Sequence, residues 1–292
     1  VLNRLLTADP RSPLLGVARS LVALAQLLSL AFTSDTDLFP AIGGPPDGPR
    51  CDGLRGISLW CLGFDPAIAR WTAVAVLVSV AVGYRPRWTV VPHWYVAFSF
   101  SAALIASHGG EHISKILTLL LIPVLLGDDR GWHWTRPRTP MAPRWHGAAA
   151  AGHLAIRAQI AFVYGQAVWF KLREPEWRSG EAMHYTMQDA YFGATPALAE
   201  LLDSVGPLMT WGTLAAETFL ALSAFCGVRI RKWAVVVGVV LHLGIMVVLG
   251  LIGFGLVMIA LLLASSSRTD LTGAVGDCAP RLRRTLHTPK LA

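Results

Sequence analysis

Residues 233–266 read WAVVVGVVLHLGIMVVLGLIGFGLVMIALLLASS, a run whose only ionisable side chain is His242. A helix needs about 20 apolar residues to cross a hydrocarbon core about 30 Å thick, so this run is too long for one upright span. Gly250, Gly253 and Gly255 lie near its middle, where a tight turn would divide it in two. One long tilted helix is the alternative. Two spans here give the chain eight, and one gives seven.

Upstream of this run, apolar segments recur near 14–32, 68–82, 93–106, 113–127, 153–170 and 208–227, and the run itself supplies 233–249 and 252–266. The composition agrees with that pattern. Of 292 residues 54% are hydrophobic and 15% charged, with a mean hydropathy of +0.51, whereas soluble domains carry roughly 25% charged residues. A disordered chain, a secreted disulfide scaffold and an ordinary cytosolic enzyme are excluded. The expected fold is all-α: a polytopic transmembrane bundle of about eight spans. Residues 1–266 form one membrane domain and 267–292 a basic cytoplasmic tail. The first segment is expected to be retained rather than cleaved after Ser29-Leu30-Ala31, because Arg19 and Gln26 interrupt its apolar stretch.

The net charge is +7. With the N-terminus taken as cytoplasmic, Arg4, Arg11, Arg85, Arg87, Arg130, Arg136, Arg138, Arg229, Arg231 and Lys232 fall inside, while Asp35, Asp37, Asp47, Asp52 and Asp65 fall outside. Lys and Arg normally mark the cytoplasmic loops. A basic tail on the inner side requires an even number of spans, which favours eight with both termini cytoplasmic. No zinc-finger, aromatic-platform or basic-helix pattern accompanies the charge, so the expected partner is the lipid bilayer and not nucleic acid. Arg19 and Arg157, near inner helix ends, are expected to snorkel.

Cys51 and Cys61 fall in the first outer loop, whereas Cys226 and Cys278 fall inside. An oxidising outer face favours a Cys51–Cys61 disulfide. The spacing permits that bridge without demanding it, and two unpaired thiols are the alternative. Thiols on opposite sides of the membrane exclude one four-thiolate zinc site.

The stretch richest in chemistry is Phe162–Tyr191, FVYGQAVWFKLREPEWRSGEAMHYTMQDAY. Lys171 closes an apolar helix there, and a lysine partly withdrawn from water can supply a neutral amine, a competent general base. The plain alternative is a lysine that snorkels to the headgroups. Gln159 and Gln166, seven apart, share one face of that helix and make a polar stripe leading to Lys171. Glu217 and His242 fall near the midplane of their segments, where ionisable groups need partners or tasks. An antiparallel pair joined across 227–232 would let them meet, for function or as a plain interhelical bond. Glu111, His112 and Lys115 open the fourth segment on the outer side. No metal is expected, because no H-E-x-x-H spacing occurs, and neither a G-x-S-x-G elbow nor a phosphate loop is present.

The pattern Lys171-x5-Trp177-x2-Gly180-x-Ala182-Met183-x-Tyr185 resembles the lysine segment of the HTTM domain, the membrane domain of vitamin K-dependent gamma-carboxylase, with one extra residue between lysine and tryptophan. Gly109-Gly110-Glu111-His112, Ile116 to Leu121, Asp128, His133-Trp134 and Ser58-Leu59-Trp60-Cys61 are similar to the sporulation-delaying protein B family. The resemblance implies a membrane-embedded enzyme that helps mature a secreted, toxin-like precursor peptide, together with a small partner resembling sporulation-delaying protein A. It implies Lys171 as base, with Glu217 and His242 beside it, and a reduced quinone (vitamin K- or menaquinol-like) as cofactor. Glu111, His112, Trp177, Gly180, Tyr185 and Gln166 would support the site or contact substrate. Only the membrane core is shared with the carboxylase, so glutamate carboxylation is not expected. A non-enzymatic membrane chaperone, export or immunity factor for such a peptide is the alternative. A transporter would show inverted repeats or paired broken helices, and the sequence has neither.

Overall fold

The computed structural model describes residues 9–39, 48–104, 109–189 and 193–266. Among them the fold is all-helical, with one isolated bridge between Tyr84 and Trp132 and no strand. Eight long helices follow one another: α1 Pro13–Phe32, α2 Pro66–Ala81, α3 Pro86–Ala103, α4 Gly109–Leu125, α5 Pro143–Lys171, α6 Gly206–Ser223, α7 Val228–Leu249 and α8 Ile252–Ser266. Each apolar segment of the sequence lies largely within one of them. The 34-residue run is two helices, broken at Gly250, whose φ of +68° is one that residues with a Cβ rarely adopt. The tail 267–292 lies outside the described residues.

Helix starts depart from the apolar pattern. Pro86 and Pro143 begin α3 and α5 seven and ten residues before the segments at 93 and 153, because proline is pre-organised for the first helical turn. The Ala-rich stretch 147–151 then carries α5 through a polar beginning. Polar residues also lower the hydropathy of the middle helices. By length and composition only α1 and α7 are apolar enough to cross a membrane, while α2 and α8 are apolar but shorter.

Neighbouring helices pack in chain order, and α8 closes the set against α1, α4, α5 and α7. Nearly every residue of α8 from Val257 to Ser265 is buried, as a helix apolar all round should be. Helices α7 and α8 form an antiparallel hairpin in which Gly238 lies against Leu262 and Gly255 against Met246. The outward face of α7 is the reverse case. Trp233, Val236, Val240, Leu243 and Val247 form a continuous exposed apolar stripe, with Val247 74% exposed.

The interior holds the charge. Arg19 and Arg157 do not snorkel. Arg19 is 1% exposed and donates to Thr89 Oγ1 at 2.7 Å, because its face of α1 is covered by α3 and the 126–142 loop. Arg157 donates from Nε to the Ala224 carbonyl at 2.6 Å, and Arg231 donates to the Cys226 carbonyl at 2.8 Å. Both satisfy carbonyls at the C-terminal end of α6, where helices leave acceptors unpaired. At the same end Asp128 and Arg130 form a buried bidentate pair, and Arg11 bridges Asp9 and Asp129. His133, in this loop, is pushed down to about 3 by burial and by the charges of Arg19 and Arg130, so its ring is neutral.

At the opposite end Cys51 and Cys61 are joined by a disulfide, with Cα atoms 5.5 Å apart. The bridged loop is seated by Trp60, which packs between Phe39 and Phe100, and by the Ser99 hydroxyl, which accepts from Leu59 N at 3.0 Å.

The α7–α8 hairpin generates a packing prediction. A side chain at Gly255 would collide with Met246 and the His242 carbonyl, and overpacking of this kind costs about 1–3 kcal/mol. Gly255→Val should therefore lower the unfolding temperature of the detergent-purified protein. Gly165→Ala, at a position with open space around it, should be neutral or stabilising by up to about 1 kcal/mol.

Candidate functional site

Lys171 and Tyr164 are seven residues apart and so lie on one face of α5, two turns or about 10 Å from each other. Each meets a polar group from a different helix. The Lys171 ammonium pairs with Oε1 of Glu217, from the middle of α6. The Tyr164 hydroxyl lies 2.7 Å from Nε2 of His242, from α7. Phe254 of α8 packs edge-on against the imidazole, ring centres 5.7 Å apart. Four consecutive helices thus contribute to one polar seam.

Burial sets the character of the ion pair. The Glu217 side chain is 9% exposed and that of Lys171 24%. The Lys171 Nζ lies 4.7 Å from the centre of the Trp177 ring, a contact that favours the cation without consuming its remaining donors. Glu217 Oε2 and His242 Nδ1 are buried and have no hydrogen-bond partner among the described residues.

The segment after α5 explains the spacing of its motif. Pro175–Ser179 forms one short helix and Ala182–Met187 another. Between them Gly180 has φ +89°, and a Cβ there would stand 3.0 Å from Trp211 Nε1, so glycine is required on two counts. Upstream, the tight turn at 172–174 folds the first short helix back so that Trp177 meets the lysine. Tyr185 is exposed and lines an open groove of about 350 Å³ with Glu174, Glu176, Trp177, Ala182 and Thr186. A second groove, about 440 Å³ and apolar, runs between α6 and α7, lined by Gly212, Ala216, Val240, Leu241 and Gly244 among others, with Met183 at one side.

Several expected site residues lie elsewhere. Glu217 and His242 do not bond to each other, because α5 supplies each with its own partner at a different depth. Gln166 is exposed, and the polar stripe stops at buried Gln159, whose amide reaches the Ile113 carbonyl. Glu111 lines a small pocket with Gln26, Ser29 and Phe100. His112 meets the Ser101 hydroxyl at 3.3 Å. Both sit on α4 beside α1 and α3, away from the lysine. Their neighbours Gly109 and Gly110 do pack on Phe254, which touches His242. Tyr164 was not among the residues the motifs singled out. The signal that could have found it is its seven-residue spacing from Lys171. Among the described residues no group of His, Cys, Asp and Glu is arranged to hold a metal.

The chain is 32% identical over 277 residues to YitO of Bacillus subtilis, an uncharacterized protein, covering 90% of this chain and 89% of YitO. It belongs to the same family. It is also 28% identical over 284 residues to the sporulation-delaying protein SdpB of the same organism, covering 94% of this chain and 87% of SdpB. The family is thus SdpB-like. No family model matches the chain, and no solved structure does either. The likeness spans nearly the whole SdpB-like chain and so includes α5, α6 and α7.

The ion pair of this SdpB-like chain makes a stability prediction. Breaking a fully buried pair costs about 3–5 kcal/mol by stranding one charge. Lys171 is partly exposed, so Glu217→Gln should cost about 1–3 kcal/mol. Replacing both partners, as Lys171→Met with Glu217→Gln, should restore most of that loss. A double-mutant cycle on thermal unfolding measures the coupling.

Proposed function

We propose that this chain is an eight-span membrane protein, both termini cytoplasmic, that matures a secreted precursor peptide at a site facing the extracytoplasmic side. The observation that carries the proposal is the Lys171–Glu217 pair, half-sheltered at the end of α5, with a free carboxylate oxygen beside it. The resemblance of the Lys171 segment to the HTTM domain gives that pair a catalytic reading, and the likeness to SdpB gives it a peptide as substrate. The exposed apolar stripe of α7 and the charged interior support a lipid-facing exterior.

Chemically the pair acts as a unit. When the shared proton rests on Glu217, Lys171 presents a neutral amine, and that amine takes the proton of a substrate X–H bond whose electron pair stays on the substrate. Trp177 holds the lysine cation against the site, and the groove lined by Glu174, Glu176 and Tyr185 suits a peptide segment that carries a basic residue. The apolar groove between α6 and α7 passes Ala216 and Leu241, the chain neighbours of Glu217 and His242, and fits the hydrocarbon tail of a quinone. A reduced quinone bound there would supply an acidic hydroxyl and two electrons. A small partner resembling sporulation-delaying protein A would act on the same precursor.

The same ion pair is also complete as a clamp between α5 and α6, which is all a non-enzymatic chaperone, export or immunity factor would need of it. Lys171→Arg separates the two readings, because guanidinium keeps the charge but stays protonated. Loss of a general base lowers a rate about 10²–10⁴-fold. The variant should insert normally and slow precursor maturation by that factor, as followed by mass spectrometry of the secreted peptide. Wild-type maturation would leave the clamp reading.

Topology is tested separately. In a variant with Cys226 and Cys278 replaced by Ser, single cysteines at positions 139 and 229 should resist an impermeant maleimide added outside intact cells, and those at 70 and 181 should react. Labelling at 229 from outside would overturn the eight-span arrangement.

A further inference from the structure

The Tyr164–His242 contact belongs to neither reading of the ion pair, and its hydrogen inventory is restrictive. Tyr164 is 1% exposed and His242 2%. Among the described residues their contact is the single hydrogen bond of either side chain, and His242 Nδ1 has no partner. A neutral imidazole carries one N–H, on Nε2 or on Nδ1. With the proton on Nε2 the ring donates to the tyrosine oxygen. The tyrosine O–H is then a buried donor without an acceptor, and Nδ1 is a bare lone pair. With the proton on Nδ1 the tyrosine donates to Nε2, and only the Nδ1–H is left without a partner. Each arrangement strands one buried donor, at about 1–3 kcal/mol, so the bond itself decides: a phenol O–H donating to an imidazole nitrogen joins the better donor to the better acceptor, which favours the second arrangement. An imidazolium would strand both donors and place a cation near the Lys171 ammonium.

We propose that Tyr164 is a positioning residue: its hydroxyl donates to Nε2 and holds His242 neutral with the proton on Nδ1, which makes His242 a hydrogen-bond donor to a substrate oxygen. His242 is then not a second base beside Lys171. The roles are divided between the unpartnered Nδ1–H of His242 as donor and the Lys171 amine, paired with Glu217, as base. When the Lys171–Glu217 pair takes a proton from substrate, negative charge that reaches a substrate oxygen is held by the Nδ1–H, which stays on the ring. A donor already oriented in a dry site costs no reorganisation as charge develops. This division of roles rests on the reading of the ion pair as base, whereas the tautomer itself does not.

The test begins with the tautomer. The full-length protein is labelled with ¹⁵N-histidine and purified in detergent, and the His242 ring is assigned by difference against His242→Asn. Two-bond couplings from the ring protons should show a protonated Nδ1 and a bare Nε2. Tyr164→Phe should shift the ring to the other tautomer or to a mixture. A protonated Nε2 in the unmodified protein, or a ring unaltered in Tyr164→Phe, overturns the proposal.

The second arm is precursor maturation. Asn carries an amide N–H close to the place of Nδ1–H, so His242→Asn should stay within about tenfold of the unmodified protein. His242→Leu should lose about 10²–10³-fold, the usual effect of removing such a donor. Equal losses in the two variants overturn the donor role. If Lys171→Arg matures precursor normally while the ring is protonated on Nδ1, the base reading fails and the tautomer assignment stands.

Discussion

An ionised side chain withdrawn from water must be neutralised by a partner placed within a few ångströms, and much of this bundle is arranged around that requirement. Glu217 is answered by Lys171, Asp128 by Arg130, and Arg11 by Asp9 and Asp129. Arg157 and Arg231 use helix-end carbonyls instead of acids. The placement of charge along α5 follows the same requirement. The stretch from Arg157 to Lys171, about 21 Å of helix, carries Arg157 to the carbonyl end of α6 and Lys171 to the carboxylate midway along it.

The helix pattern was legible in the sequence because apolar content and glycine placement are local properties. The eight segments needed no knowledge of neighbours, and a break among Gly250, Gly253 and Gly255 was one of two readings of the long run, the other being a single tilted helix. Helix starts were less legible. Pro86 and Pro143 open their helices among polar residues, where hydropathy gives no signal but a first-turn proline does. Side-chain direction was the least legible. Arg19 and Arg157 looked like snorkelling residues because both lie near helix ends, and only the packing of α3, α6 and the 126–142 loop turns them inward.

The site divides along the same line. Lys171 was legible as a lysine that closes an apolar helix, and Trp177 and Gly180 through the resemblance their motif carries. Glu217 and His242 were legible as costly residues, but not their partners. Which side chain answers which depends on the depth at which α6 and α7 cross α5, and periodicity carries no information on depth. Tyr164 escaped notice because a tyrosine in an apolar helix reads as ordinary packing until its hydroxyl is found against a histidine.

The position of α8 bears on how the molecule is assembled. Ribosomes deliver a chain from its first residue onward, so α8 emerges after seven other helices, yet α1, α4, α5 and α7 all lean on it. The faces of α1 that bury Val22 and Ala25 must wait through more than 200 residues of synthesis for their final neighbour, and contacts of such long sequence separation are slow to form. Until then the faces of α1, α4, α5 and α7 that meet α8 have no protein against them. Quality-control factors that recognise unfinished helices would find their substrate in that interval, and a ribosome stalled before Ile252 would leave a product with those faces uncovered.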